Sequence, residues 1–175
     1  MLRFAIRGTG RISHTFMKAA LKVPGFKLEA VYSRSQDSGR AFGSVYGADK
    51  VYTTLKALGD DPEVDAVYIA SPNSSHCAQT VFMLEHGKHV LCEKPIASSA
   101  QELERMMKAA DGNGKILLEA MRPVFDPGFA KIKELLGQLG QIRRAVFQYC
   151  QYSSRYDAFK NGIIENAFNP ALSNA

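Results

Sequence analysis

No run of apolar residues in this chain approaches the ~18 needed to span a bilayer, so a membrane-crossing helix is not expected. The opening Met1-Leu2-Arg3-Phe4-Ala5-Ile6-Arg7 also lacks the longer apolar stretch and small-residue cleavage site of a secretory signal, and reads as a first strand. Cysteine is scarce: Cys77, Cys92 and Cys150 are odd in number, far apart and without paired spacing. They support neither a disulfide scaffold nor a metal site, and they suit a reducing cytoplasm. The formal net charge of +5 is spread along the chain, with no dense basic stripe carrying interleaved aromatics. Nucleic acid is therefore not expected as a partner, and a modest positive field that draws in anionic cofactors is the simpler account.

What is present has the balance of a globular protein, with 46% hydrophobic and 22% charged residues. At 175 residues the chain exceeds one ordinary domain but fits two poorly. Residues 2–7 are followed by a glycine turn and a helix over about 11–22, which Pro24-Gly25 ends. Strands are expected at 27–32 and 51–52, with a helix between them whose apolar face is Ala41, Phe42 and Val45. A short helix carries Leu55 and Leu58, and Val64 to Ala70 is a strand apolar except at Asp65 and Tyr68, as burial on both faces requires. Helix 75–86 presents Ala78, Val81, Phe82 and Glu85, and His89 to Cys92 is the next strand. Ser99 caps helix 100–111 with Glu102 at the capping-box position, and Lys115 to Ala120 is a sixth strand. This alternation predicts α/β architecture, a doubly wound parallel-sheet Rossmann domain.

Pro123 and Pro127 mark the boundary, giving a first domain at 1–122 and a remainder at 123–175. The remainder offers a helix at 128–137, a strand over Arg143 to Tyr152, and no convincing periodicity beyond Tyr156. One helix and one strand cannot bury a core alone, so 123–175 reads as a hinge and the start of an incomplete C-terminal α/β domain.

The loop Gly8-Thr9-Gly10-Arg11-Ile12-Ser13 lies between the first strand and the first helix, and that placement turns a weak motif into a dinucleotide site. Gly8 makes the tight turn, Gly10 lets backbone approach a pyrophosphate, and the N–H groups of Arg11, Ile12 and Ser13 point at its charge. Ser13 stands where Gly or Ala is usual and remains small enough for helix–strand packing. After the second strand, Tyr32-Ser33-Arg34-Ser35 brings no carboxylate before Asp37. An acid there grips the ribose of NAD and repels a 2′-phosphate, whereas Ser33 donates to it, Arg34 pairs with it, and Arg40 lies within reach on the next helix. NADP(H) is expected over NAD(H), with NAD(H) possible.

Ligands of open parallel sheets gather beyond the carboxyl ends of the strands. Ser71-Pro72-Asn73-Ser74-Ser75-His76 follows the fourth strand and Glu93-Lys94-Pro95 the fifth. Pro72 and Asn73 shape the nicotinamide ledge and bind its ribose, and His76 is counted among the residues bordering the cofactor. Lys94 is the catalytic candidate, because an ammonium beside a hydroxyl stabilises developing alkoxide while hydride leaves the same carbon. Glu93 orients the lysine or hydrogen-bonds a ribose, and Pro95 fixes the backbone.

Three segments together resemble the Gfo/Idh/MocA family of oxidoreductases, sugar and cyclitol dehydrogenases that use NAD or NADP. They are Gly8 to Ile12, Val64 to His76, and Gly87-Lys88-His89-Val90-Leu91-Cys92-Glu93-Lys94-Pro95, the last being the most specific. Glu119-Ala120 and Phe125-x-Pro127 are similar to the segment that leads into that family's second domain, although Pro123-Val124 and Asp126 replace its usual Tyr-Arg pair and histidine. The resemblance implies hydride transfer between nicotinamide and a small hydroxy or carbonyl substrate such as a sugar or polyol. It also implies a second domain that supplies an Asp and a His to assist the lysine, and a homo-oligomer formed through that domain's sheet. Those groups are expected after Asn169 to Ala175, so the chain is expected to be truncated and inactive alone. The alternative is a non-catalytic nucleotide-binding regulatory or scaffold protein: the short tail favours it, the intact Glu93-Lys94-Pro95 opposes it.

Overall fold

Six short apolar segments meet in one sheet in the computed structural model, which describes residues 1–153 and 155–163. They are β1 (Leu2–Arg7), β2 (Phe26–Tyr32), β3 (Lys50–Tyr52), β4 (Ala66–Ile69), β5 (His89–Cys92) and β6 (Leu117–Glu119). All pair in parallel, in the order β3-β2-β1-β4-β5-β6. Helices α1 (Arg11–Ala20), α2 (Gln36–Tyr46), α3 (Leu55–Gly59), α4 (His76–Glu85) and α5 (Ala100–Asn113) connect the strands. The sheet is a doubly wound Rossmann sheet, as the alternation of elements predicts.

Period-two side chains divide the core between two faces. On one, Ala5, Val67, Ile69 and Val90 pack with Leu58, Met83, Leu84 and Ala110 of α3, α4 and α5. On the other, Ile6, Val31 and Tyr68 pack with Met17 of α1 and Phe42 of α2. A register shift between Phe4 and Ala5 leaves Glu29 as the extra residue of β2. Its buried carboxylate is held by Lys27 at 2.6 Å and Lys50 at 3.1 Å, which keeps it ionised below the usual carboxylate range.

Two helices bury other faces than their apolar spacing suggests. α2 buries Gly39, Phe42 and Gly43, while Val45 is 65% exposed. A Cβ on Gly39 would stand 2.3 Å from Val51 Cγ1, and one on Gly43 2.4 Å from Ala48 O, so the glycines let the helix sit down on the sheet. α4 is wedged between the sheet and α5, and it buries His76, Cys77, Gln79, Thr80, Met83 and Leu84, leaving Ala78 and Glu85 outside.

After β6 the chain follows a short 3-10 turn, Arg122–Phe125, into α6 (Pro127–Leu135), where the Asp126 side chain accepts from Gly128 N at 2.7 Å. Every residue from Met121 to Ser153 is exposed. The strand expected over Arg143 to Tyr152 is not formed; those residues have no regular structure. A strand is completed by a neighbour's ladder of hydrogen bonds, and among the described residues no strand lies alongside this one. A five-residue helix, α7 (Tyr156–Lys160), follows where the sequence shows no periodicity. Asn169 to Ala175, after which an assisting Asp and His are expected from the family resemblance, lie outside the described residues. Among the described residues no helix is long and apolar enough to cross a membrane, and no cluster of side chains suits a metal ion.

Candidate active site

The strand order reverses between β1 and β4, so the crevice of this sheet opens where Gly8 follows β1 and Ala70-Ser71 follow β4. Gly8 has φ +111°, and a Cβ there would lie 2.7 Å from Ala70 O; the turn therefore requires glycine for conformation and for space. Gly10 differs: its φ is −80°, and a Cβ would meet nothing within 4 Å. It caps α1 without a side-chain hydrogen bond, and its carbonyl takes Ser13 N at 3.0 Å and His14 N at 3.3 Å. The first amides of α1 are thus presented at an open cradle, the arrangement that favours an anion.

Two clefts meet at Gly10, Ala70, Ser71 and Pro72 and form one trough across the strand ends. The arm beside β2, about 730 Å³, is lined by Arg7, Ser33, Arg34, Ser35 and Ser38. The arm beside β5, about 760 Å³, is lined by Arg11, Ile12, Asn73, Glu93 and Lys94, with Gln151 and Arg155 from the C-terminal segment. The buried hydroxyls Ser13 Oγ and Ser71 Oγ have no hydrogen-bond partner among the described residues.

In the first arm Ser33 is buried, its Oγ 2.7 Å from Ser38 Oγ, while Ser35 caps α2 by accepting from Ser38 N at 3.4 Å. Arg34 is exposed on the cleft wall. Arg7 is half-buried, its guanidinium 4.7 Å from the centre of the Tyr32 ring. Burial, with nearby Arg34 adding to it, lowers its proton affinity below the usual arginine range. Arg40 is exposed on α2 and does not line the trough, because it falls on the solvent side of a helix seated through Gly39 and Gly43.

In the second arm Lys94 is exposed, and its backbone N–H donates to Glu93 Oε2 at 3.2 Å. The other oxygen of Glu93 accepts from the buried Tyr68 hydroxyl at 2.6 Å. The Lys94–Pro95 bond is cis. Cys92, buried behind this loop, has its thiol pushed up to about 12 by burial, which disfavours the reactive thiolate.

His76 is not brought to the trough. It is fully buried, with Nδ1 2.8 Å from Pro95 O and Nε2 3.0 Å from Ser71 O, so both nitrogens face backbone carbonyls of the two loops that build the second arm. Its placement at the start of α4 turns the ring inward between those loops. Gly8, Gly10, Arg11, Ile12, Ser33, Arg34, Pro72, Asn73, Glu93 and Lys94 do converge. Sequence reasoning missed Tyr68, although a lone hydroxyl in an aliphatic buried strand was the available signal.

The comparisons agree with this geometry. A family model described as an oxidoreductase family with an NAD-binding Rossmann fold matches residues 2–121. Scyllo-inositol 2-dehydrogenase (NADP(+)) of Bacillus subtilis is 48% identical over 174 residues, covering 99% of this chain and 53% of that protein. An uncharacterised oxidoreductase of Escherichia coli is 41% identical with the same coverage. The chain thus spans about half the length of these curated relatives. Among solved structures, a 3-ketoreductase from Actinomadura kijaniata in complex with NADP and TDP-benzene superposes with a TM-score of 0.74 at 27% identity, covering 78% of this chain and 42% of that one. With the family model matching the whole sheet and the glycine loop and strand ends that line the trough, the chain belongs to the Gfo/Idh/MocA family of oxidoreductases.

Proposed function

We propose that the trough binds NADP(H) in preference to NAD(H), in an oxidoreductase acting on a sugar, polyol or related hydroxy-carbonyl compound. The carrying observation is the order of groups along one trough: Ser33 and Arg34 at one end, the open cradle at Gly10 in the middle, Glu93 and Lys94 at the other. Gly8, Gly10 and the first amides of α1 suit a pyrophosphate. Ser33, Arg34 and the start of α2 suit a 2′-phosphate, since among the described residues no carboxylate lines that arm to repel it. Pro72 and Asn73 border the nicotinamide half, and when bound the nicotinamide supplies or accepts hydride.

The chain's own contribution to the chemistry is Lys94. Its ammonium, next to Glu93 and open to the trough, donates a proton to a substrate carbonyl oxygen in reduction or stabilises the alkoxide in oxidation. Glu93, held through both oxygens, keeps this loop in one arrangement. Apart from Glu93, no carboxylate or histidine lines the arm around Lys94 among the described residues, so turnover by residues 1–175 alone is expected to be negligible. The same reading takes 1–122 as the cofactor domain and 123–175 as a hinge with the start of a second α/β domain. The Bacillus subtilis relative is named as a scyllo-inositol dehydrogenase, which supports a polyol substrate for this reading.

Titration of the purified chain with NADPH and NADH tests the cofactor reading. NADPH is expected to bind more tightly, and Arg34→Ala is expected to reduce the preference about tenfold, the worth of one charge-assisted hydrogen bond. Equal affinities that Arg34→Ala leaves unchanged would overturn it.

A further inference from the structure

The least expected polar contact of the core is the one between Tyr68 and Glu93. Tyr68 is the only residue of β4 with a polar side chain, and it is 1% exposed. Its register places it between Ile6 of β1 and Leu91 of β5, on the face that α1 covers. There its ring stacks on Phe16 of α1, with centroids 4.0 Å apart and planes 13° from parallel. From that position the hydroxyl reaches the strand end and donates to Glu93 Oε1 at 2.6 Å. Burial and the adjacent carboxylate raise the phenol's affinity for its proton, so it stays a donor.

A line of contacts therefore runs from the helix that begins at the glycine loop, through a stacked ring pair, to the carboxylate beside Lys94. A phenylalanine would fill the same volume in the core and pack on Phe16 equally well; only the hydroxyl needs explanation. Glu93 is half-buried on the trough wall, and a carboxylate there without a donor beneath it would be free to swing toward water. Among the described residues each of its oxygens has one protein partner, and each keeps a further lone pair for a ligand.

We propose that Tyr68 is a positioning residue: its buried hydroxyl fixes Glu93 as an acceptor on the wall of the second arm, and so sets how the nicotinamide half of the cofactor is held. This rests on the cofactor reading above and adds a residue that never touches the ligand. The hydroxyl serves one arm of the trough only. Removing it should affect a ligand that fills both arms and leave unaffected a ligand confined to the arm of Ser33 and Arg34.

The test compares NADPH with adenosine 2′,5′-bisphosphate, which has the phosphate end of the cofactor and no nicotinamide, on the 175-residue chain. Tyr68→Phe is expected to weaken NADPH about threefold to tenfold, one hydrogen bond's worth, and to leave the bisphosphate unchanged. Glu93→Ala is expected to weaken NADPH by more, and adding Tyr68→Phe to it should have no further effect, since the coupled partner is gone. If circular dichroism shows that Tyr68→Phe does not fold, Phe16→Leu, which keeps the hydroxyl but removes the ring stacked beneath it, carries the comparison with the same split between ligands. Unchanged NADPH affinity, an equal loss for both ligands, or additive effects of the two substitutions would overturn the proposal. If the unaltered chain binds neither ligand, the cofactor reading fails first, and this inference with it.

Discussion

Gly8→Ala and Gly10→Ala, two residues apart in one loop, should fail in opposite ways. At Gly8 the backbone sits at φ +111°, which side chains rarely adopt, and holding alanine there costs about 1–3 kcal/mol. The new Cβ would also lie 2.7 Å from Ala70 O, inside the 3.4 Å at which ordinary contact begins. That neighbour is backbone at the end of a central strand, so relief requires shifting β4 against β1, at about 1–3 kcal/mol more. The total, about 2–6 kcal/mol, is a large part of a domain's whole margin and should lower the urea midpoint by about 1–3 M. At Gly10 a methyl group meets no protein atom within 4 Å, and φ is already ordinary. Only the poorer N-cap is felt in the fold, about 0.5–1 kcal/mol. The methyl would stand where the pyrophosphate is proposed, and losing one charge-assisted amide bond costs about 1.5–3 kcal/mol, tenfold or more in NADPH affinity. Urea denaturation and NADPH titration of both variants read the two effects separately. A Gly10→Ala chain that loses as much stability as Gly8→Ala, or one that binds NADPH like the unaltered chain, would refute the reasoning.

Lys94→Met, in a full-length protein carrying this domain, should keep the fold and most cofactor affinity while turnover drops about 10²–10⁴-fold; ordinary turnover would remove Lys94 from its role. The Arg3 guanidinium, bonded to Asp65 at 2.7 and 3.0 Å, holds that carboxyl at about 2 against an ordinary 3.8. A depressed carboxylate contributes its full stabilisation above the unfolded value and loses it as pH falls from 3.8 toward 2. Because the pair is about one-third exposed, this is worth about 1 kcal/mol; Asp65→Asn should flatten that part of the acid dependence of the urea midpoint. Lys88 is 6% exposed and donates to Asp61 O at 2.5 Å and Val64 O at 2.9 Å, so Lys88→Met should cost about 2–3 kcal/mol by leaving two carbonyls unpaired, measured by thermal denaturation. Phe147, 94% exposed beside Val146 and Tyr149, should drive concentration-dependent self-association seen by light scattering, and Phe147→Glu should reduce it.

The parallel sheet is legible because short apolar-rich segments alternate with helical ones, and β1, β2 and β4 run into Gly8, Ser33 and Ser71. The glycine loop and Glu93-Lys94-Pro95 were legible because each sits at a strand's carboxyl end, where this topology puts ligands. Helix faces were less so. In α2 the surface nearest the sheet is Gly39 and Gly43, which apolar periodicity does not register, and Val45 was given an inward role that it does not have. α4 touches both the sheet and α5, so its buried residues surround more of the helix than one stripe, and polar Gln79 and Thr80 are among them. His76 looked available because it begins a helix near the site, yet its ring is spent on Ser71 O and Pro95 O. The strand at 143–152 has a strand's composition, but a strand exists only with a partner, and partnership is not a local property of sequence.

The central claim is that one dinucleotide lies along the whole trough, from Ser33 to Lys94. Backbone amide shifts of the isotope-labelled chain, recorded by NMR while NADP⁺ is added, test it most directly. The account predicts changes at Gly8 to Ser13, Ser33 to Ser35, Ser71 to Asn73 and Glu93 to Lys94 together, with Arg40 and residues 143–149 unmoved. Changes confined to one arm, or spread over surfaces outside the trough, would contradict it.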